Sequence, residues 1–170
     1  MNLADQARPK DVQPLDDVDA RILAQLMRDG RIPNNALAAR VGVAASTALA
    51  RVRALVDRGV VRGFTADVDP AAVGCPVQAI VALRLRTHDA PHVLGFAARV
   101  AQLPEVIQTF HVSGTEDFLV HVAVADPAGL RSFVLTALTS DPSVGQAQTH
   151  LVFEHQRGHF LQRSSSADAR

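Results

Sequence analysis

The amino-acid sequence predicts an α+β chain in two parts: a front of three helices, then a four-stranded antiparallel sheet with two helices on one of its faces. Three observations lead there. Apolar residues recur at three- and four-residue spacing through about the first sixty residues, and β-branched runs take over after Phe64. Within that second texture a strand, helix, strand unit occurs twice, with an offset of 37 to 38 residues.

In the front part, Leu15, Val18, Ile22 and Leu26, with Leu23 and Met27 beside them, form one apolar stripe on a helix over 17–29. Asp16 supplies an N-cap, Asp19 an acidic first turn and Gly30 a left-handed stop. Pro33, Asn34 and Asn35 open a shorter helix with Leu37 and Val41 on one side and Gly42 at its end. A third helix starts near Ala45, turns Leu49, Val52 and Val56 inward and stops at Gly59. On a wheel of about 100° per residue its outer side shows Ser46, Thr47, Ala50 and Ala54, flanked by Arg51 and Arg53. A short helix, a glycine turn and a helix with a small, basic outer side is how a helix-turn-helix reads, here over 15–63. Small side chains let such a helix enter a major groove, hydroxyls bond base edges or phosphates, and a guanidinium bonds guanine through two N–H groups. An ordinary three-helix bundle with solvated arginines stays open at this point.

Pro70, Gly74 and Pro76 punctuate a connecting segment over 64–76. Strands follow at 77–85, 106–112, 118–124 and 144–153, with helices at 91–103 and 127–139. Val93, Phe96, Ala97 and Val100 face inward from the first helix, and Leu130, Phe133, Val134 and Leu138 from the second. The punctuation repeats too, with Asp89-Ala-Pro91 and Asp126-Pro127 opening the helices. Two such units joined by a tight loop at 114–117 make a ferredoxin-like βαββαβ domain over 77–157. Both parities of the first and third strands are mostly apolar, so the sheet face away from the helices needs a cover, and a second copy of the chain supplies one. A homodimer also presents two reading helices to a pseudo-palindromic site.

Composition narrows the classes. With 170 residues, 48% of them hydrophobic and 20% charged, the chain is neither disordered nor collagen-like. A single thiol, Cys75, makes no internal disulfide, which points to the cytoplasm. The first fourteen residues carry Asp5 and Asp11 and resemble no export signal, and no run is long and apolar enough to cross a membrane. The zero net charge conceals a division: residues 1–63 carry +3 and the remainder −3. Within 34–63, Arg40, Arg51, Arg53, Arg58 and Arg62 stand against Asp57 alone, a patch suited to phosphate.

These residues resemble the leucine-responsive and asparagine-responsive regulators, the Lrp/AsnC family. The likeness lies in Leu15-Asp-Asp-Val-Asp-Ala-Arg-Ile-Leu23, Asp29-Gly-Arg-Ile32, Asn34 to Gly42, Arg51-Val-Arg-Ala-Leu55 and Gly59-Val-Val-Arg-Gly63, and in Val112-Ser-Gly-Thr-Glu-Asp-Phe-Leu119 of the second half. The resemblance implies a transcription regulator with a winged helix-turn-helix on double-stranded DNA, an exit strand over Gly59–Gly63, and a sensing domain that dimerises and assembles to tetramers or octamers. It implies an amino-acid effector held near Gly114, Thr115, Glu116 and Asp117. A glycine turn there exposes N–H groups to a carboxylate, and Glu116 or Asp117 takes the ammonium. A plain hairpin turn accounts equally for Gly and Asp at those positions. Two departures stand out: Ala44-Ala45 replaces the family's capping Ser and Pro, which shifts the expected helix start toward Ser46, and Thr115 replaces a frequent acid.

Seven histidines, at 88, 92, 111, 121, 150, 155 and 159, invite a metal reading. His111 and His121 fall opposite each other if the hairpin is centred on 115–117, but two ligands are half a zinc site, and neither metal nor cofactor is expected. DNA contacts are assigned to Ser46, Thr47, Arg51 and Arg53, with Arg40 and Arg62 on phosphate. Two alternatives remain: a decarboxylase of sirohaem type on the same fold, and a sensor that no longer binds DNA. The lead 1–14 and the tail 158–170 extend past the core.

Overall fold

The structure, a computed structural model, describes residues 14–87, 89–156 and 158. The lead up to residue 13, His88, and the tail from His159, residues that figure in the sequence reading, lie outside the described residues. Two compact units divide between Asp67 and Val68.

The first unit holds α1 (Asp17–Arg28), α2 (Asn34–Val41) and α3 (Ala45–Asp57). Ile22, Leu23, Leu37, Val41 and Leu55 form its core, with Val18, Leu26, Val52, Val60 and Val61 packed round them. Asp16 caps α1, its carboxylate accepting the Asp19 N–H at 2.8 Å. Gly30 does not make the left-handed stop: Asp29 closes α1 in an extended conformation and gives its N–H to Gln25 O. Glycine at 30 instead leaves room for Phe64, whose ring an added Cβ would meet tightly at 3.3 Å. Gly42 does stand in the left-handed region, at φ 74°, and turns the chain between α2 and α3.

On α3 the inward face differs from the sequence reading. Ala48 and Leu55 are buried, whereas Leu49 and Val56 are 40% and 43% exposed. The burial axis lies about one residue round the wheel from the expected one. Ala48 is what lets α3 close on its neighbours, and an alanine carries too little apolar weight for periodicity to find. The helix begins at Ala45 with no side-chain cap from Ala44, so the start does not shift toward Ser46. The expected exit strand over Gly59–Gly63 is a turn: Gly59 adopts φ 70°, and Val60 and Val61 both return their N–H groups to Leu55 O. No strand partners 59–67 among the described residues, and a strand without a partner has no ladder to form.

The second unit contains β1 (Val77–Leu85), α4 (Ala90–Val100), β2 (Val106–His111), β3 (Phe118–Val124), α5 (Pro127–Phe133) and β4 (Val144–Leu151), with a wider π turn over Val134–Leu138 continuing α5. The sheet order is β2-β3-β1-β4 and every neighbouring pair is antiparallel. This is the ferredoxin-like arrangement. Asp89 caps α4 through the His92 N–H, and Asp126 caps α5 through the Gly129 N–H, so the repeated punctuation is repeated capping chemistry. Ala79, Val81, Leu83 and Leu85 of β1 and Phe118, Val120, Val122 and Val124 of β3 face the helices and meet Phe96, Val100, Phe133 and Leu138.

The other face of the sheet carries no helix. Ile80, Ala82, Leu119 and Ala123 run through its middle, Phe110 lies on β2 at 45% exposure, and glutamines occupy both edges at 108, 146 and 148. The apolar centre is therefore rimmed by amides rather than apolar throughout.

Candidate functional site

The helix-turn-helix corner is fixed by two local devices. Gly42 supplies the turn, and Asn34 Nδ2 donates to Ala45 O at 2.8 Å, tying the first residue of α2 to the first residue of α3. The sequence marked Asn34 only as part of a helix start. With Ala44 unable to accept, the first-turn N–H groups of α3 are left to solvent or to an anion.

Ser46, Thr47, Ala50, Arg53 and Ala54 are all exposed along α3, and among the described residues Arg53 makes no ion pair. Small side chains, two hydroxyls and a guanidinium thus share one solvent-facing surface. Arg40 is exposed at the end of α2 and donates to Gln25 Oε1 at 3.3 Å, and Arg62 is exposed beyond the turn at Gly59. Arg51 departs from its expected place. It is only about 50° from the burial axis on the wheel, and its guanidinium is held by Asp16 and, at 3.2 Å, by Asp19 of α1. The backbone bond from Asp19, and next the Arg51 guanidinium, hold the Asp16 carboxyl below its usual range. Asp16 in turn raises the pKa of Arg51.

In the second unit, His111 pairs with Phe118 at the end of the β2–β3 hairpin, and Val112 gives its N–H to Asp117 O. Gly114 adopts φ 132° at the tip, Thr115 is exposed and Glu116 is half-buried. Asp117 turns one carboxylate oxygen to the backbone: its Oδ2 accepts the Leu85 N–H at 2.7 Å, and its own N–H goes to Leu83 O. A carboxylate at the end of β1 satisfies a backbone donor where the ladder stops, which makes Asp117 the anchor of the loop. His111 and His121 are not opposite each other, because the hairpin centres between 114 and 115 and sets Gln108 against His121. His111 stacks on Phe118 instead.

His121 is 5% exposed and its Nε2 donates to Gln78 Oε1 at 3.0 Å on the helix-free face. The His155 ring lies edge-on at 5.8 Å. Burial, and then the neighbouring His155, lower the His121 pKa from its ordinary value. A cavity of about 570 Å³ opens there, between Ile80, Phe110 and His121 on the sheet and the chain leaving β4 from Leu151 to His155. No group of three metal-ligating side chains occurs among the described residues.

A trihelical corner with a solvent-facing small and basic helix, linked to a βαββαβ sandwich, defines a DNA-binding regulator with a sensing module. The comparisons agree on both halves. Residues 15–62 match the winged helix-turn-helix DNA-binding model and residues 78–158 the Lrp/AsnC ligand binding domain model. The HTH-type transcriptional regulator AldR of Mycobacterium tuberculosis is 47% identical over 154 residues, 89% of this chain and 86% of that protein. Its crystal structure superposes with a TM-score of 0.72 over 85% of this chain and 99% of that one, at 43% identity. The leucine-responsive regulatory protein of Rhizobium meliloti is 38% identical, covering 81% of this chain and 88% of that protein. A transcriptional regulator of Neisseria meningitidis, solved as its L-Met complex, gives a TM-score of 0.78 at 32% identity over 86% of this chain and 95% of that one. The chain belongs to the Lrp/AsnC family of DNA-binding transcriptional regulators.

Proposed function

We propose that this regulator is a cytoplasmic homodimer without enzymatic activity, that it reads its operator with α3, and that an amino acid controls its further assembly into tetramers or octamers. The observation that carries the reading of DNA is the exposed row Ser46, Thr47 and Arg53 on α3, beginning at an uncapped helix start. Ser46 and Thr47 reach base edges or phosphate, Arg53 reads a base or a phosphate, and Arg40 and Arg62 hold the backbone. Support for the dimer comes from the helix-free sheet face, where Ile80 and Phe110 leave apolar area that a second copy covers. The amino-acid effector is supported by the L-Met complex of the Neisseria neighbour. Its recognition falls to the exposed Gly114 and Thr115 and the half-buried Glu116 of the loop, with Asp117 shaping the loop from behind.

Genomic footprinting with the purified protein, with and without a panel of amino acids, tests the site, its spacing and the effector together. Paired protected half-sites whose pattern shifts with one amino acid are expected. Absence of any protected segment at low salt would refute the assignment of α3. Titration with a tetrapyrrole checks the enzymatic alternative, for which a new absorption band would count.

A further inference from the structure

Asp19 is 4% exposed at the seam between α1 and α3, where an unpaired carboxylate would be costly. Its oxygens are divided between two cations of the α3 side: Oδ1 accepts from Arg51 Nη1 at 3.2 Å, and Oδ2 lies 3.6 Å from Arg58 Nη1. The same Arg51 nitrogen is also held by Asp16, whose other oxygen caps α1 through the Asp19 N–H. Two acids of one helix thus converge on one guanidinium of the other, at the inner edge of the surface assigned to DNA.

We propose that Arg51 is a positioning residue: gripped by Asp16 and Asp19, it sets the roll of α3 against α1 and takes no DNA phosphate. Three features converge on this. Arg51 lies on the α1-facing flank of α3, its side chain 39% exposed but turned to Asp16 and Asp19. Its charge is already balanced by the two carboxylates, so it neutralises no phosphate and displaces no counterion from the DNA when the helix docks. Arg53, two residues on, lies on the exposed side and meets no acid among the described residues. A helix that must place small side chains against base edges tolerates little rotation, because each base contact depends on the aim of its donor. The clamp supplies that aim from behind. The inference rests on α3 being the reading helix.

The test is the salt dependence of binding, measured on a duplex that the wild-type protein selects from genomic fragments and on mixed-sequence DNA. Arg51→Gln is expected to cut specific affinity about ten-fold, leave mixed-sequence affinity within about two-fold, and keep the slope of log K against log salt, since a lost phosphate contact would lower that slope by about 0.9. Arg53→Ala is the control, and a phosphate contact there lowers the slope by that amount. Asp19→Asn is expected to reproduce the specific loss, and the double variant to be no worse than the weaker single one, because the two residues act as a unit. Circular dichroism fixes a temperature at which each variant is folded, and the Asp19→Asn arm stands even if Arg51→Gln does not fold. A slope lowered by about 0.9 in Arg51→Gln, or a specific affinity unchanged or raised in Asp19→Asn, overturns the proposal. No change in slope or affinity for Arg53→Ala and Arg51→Gln together would instead remove α3 from the DNA.

Discussion

Gly42 occupies φ 74° with open space around it, so a side chain there meets no clash and only backbone strain. Gly42→Ala is expected to cost about 1 kcal/mol in urea denaturation, from that conformation alone. Asn34→Ala removes the amide bond to Ala45 O and is expected to cost a similar amount, about 1 kcal/mol, with a further loss of DNA affinity because α3 is no longer held at its first residue. His121 adds a pH dependence of definite sign. Gln78, Gln108, Glu154 and His155 surround it, and its folded pKa lies below the ordinary 6.5. The unfolded chain therefore takes up a proton first as the pH falls. Stability is fully present above the ordinary value and is lost progressively below it, toward the folded pKa. Denaturation midpoints between pH 7.5 and pH 5.5 should fall for the native chain and fall less for His121→Asn.

At the scale of the element, α3 shows both what periodicity reads and what it misses. The three helices were legible from their apolar spacing and their terminal residues, because Asp16, Gly42 and Gly59 act through local chemistry that depends on nothing distant. The roll of α3 was not legible, since Leu49 and Val56 outweigh Ala48 in any count of apolar residues, although only Ala48 and Leu55 are buried. Truncations should report this directly: Leu55→Ala is expected to cost about 2–5 kcal/mol as a buried deletion, while Leu49→Ala should cost less than about 1 kcal/mol, both read by thermal unfolding. The same rotation turned Arg51 from a flank of the outer side toward the acids of α1, and a charge pair between helices leaves no spacing in the sequence by which to find it. In the second unit the strands follow their β-branched runs closely, and the hairpin register departed by about three residues only where loop length had to be guessed.

For the whole molecule, the proposed dimer puts the helix-free sheet face at its interface. Ile80 lies in its middle and Phe110 on β2, with glutamines along both edges, the pattern of an apolar interface centre with a polar rim. Phe110→Asp places a charge on the apolar part of that face and is expected to yield monomers by sedimentation velocity. The helix-facing core, which holds the fold, is on the other side and should be unaffected, so circular dichroism should stay native. Operator affinity should fall steeply with dissociation, since two linked reading helices bind more tightly than one. An intact dimer in Phe110→Asp would move the interface to another surface.

The sequence alone determined the two-part α+β plan, the duplicated βαβ unit with its aspartate caps, and the basic, small-residue character of α3, because each is written in residues close together in the chain. Only the tertiary structure decided which arginine of α3 is paired with the acids of α1, that Asp117 anchors its loop through the Leu85 N–H, and that His121 is buried beside Gln78. Those outcomes depend on groups that meet across 32 to 43 residues of chain, and the register and roll that bring them together are set by packing, which no local pattern encodes.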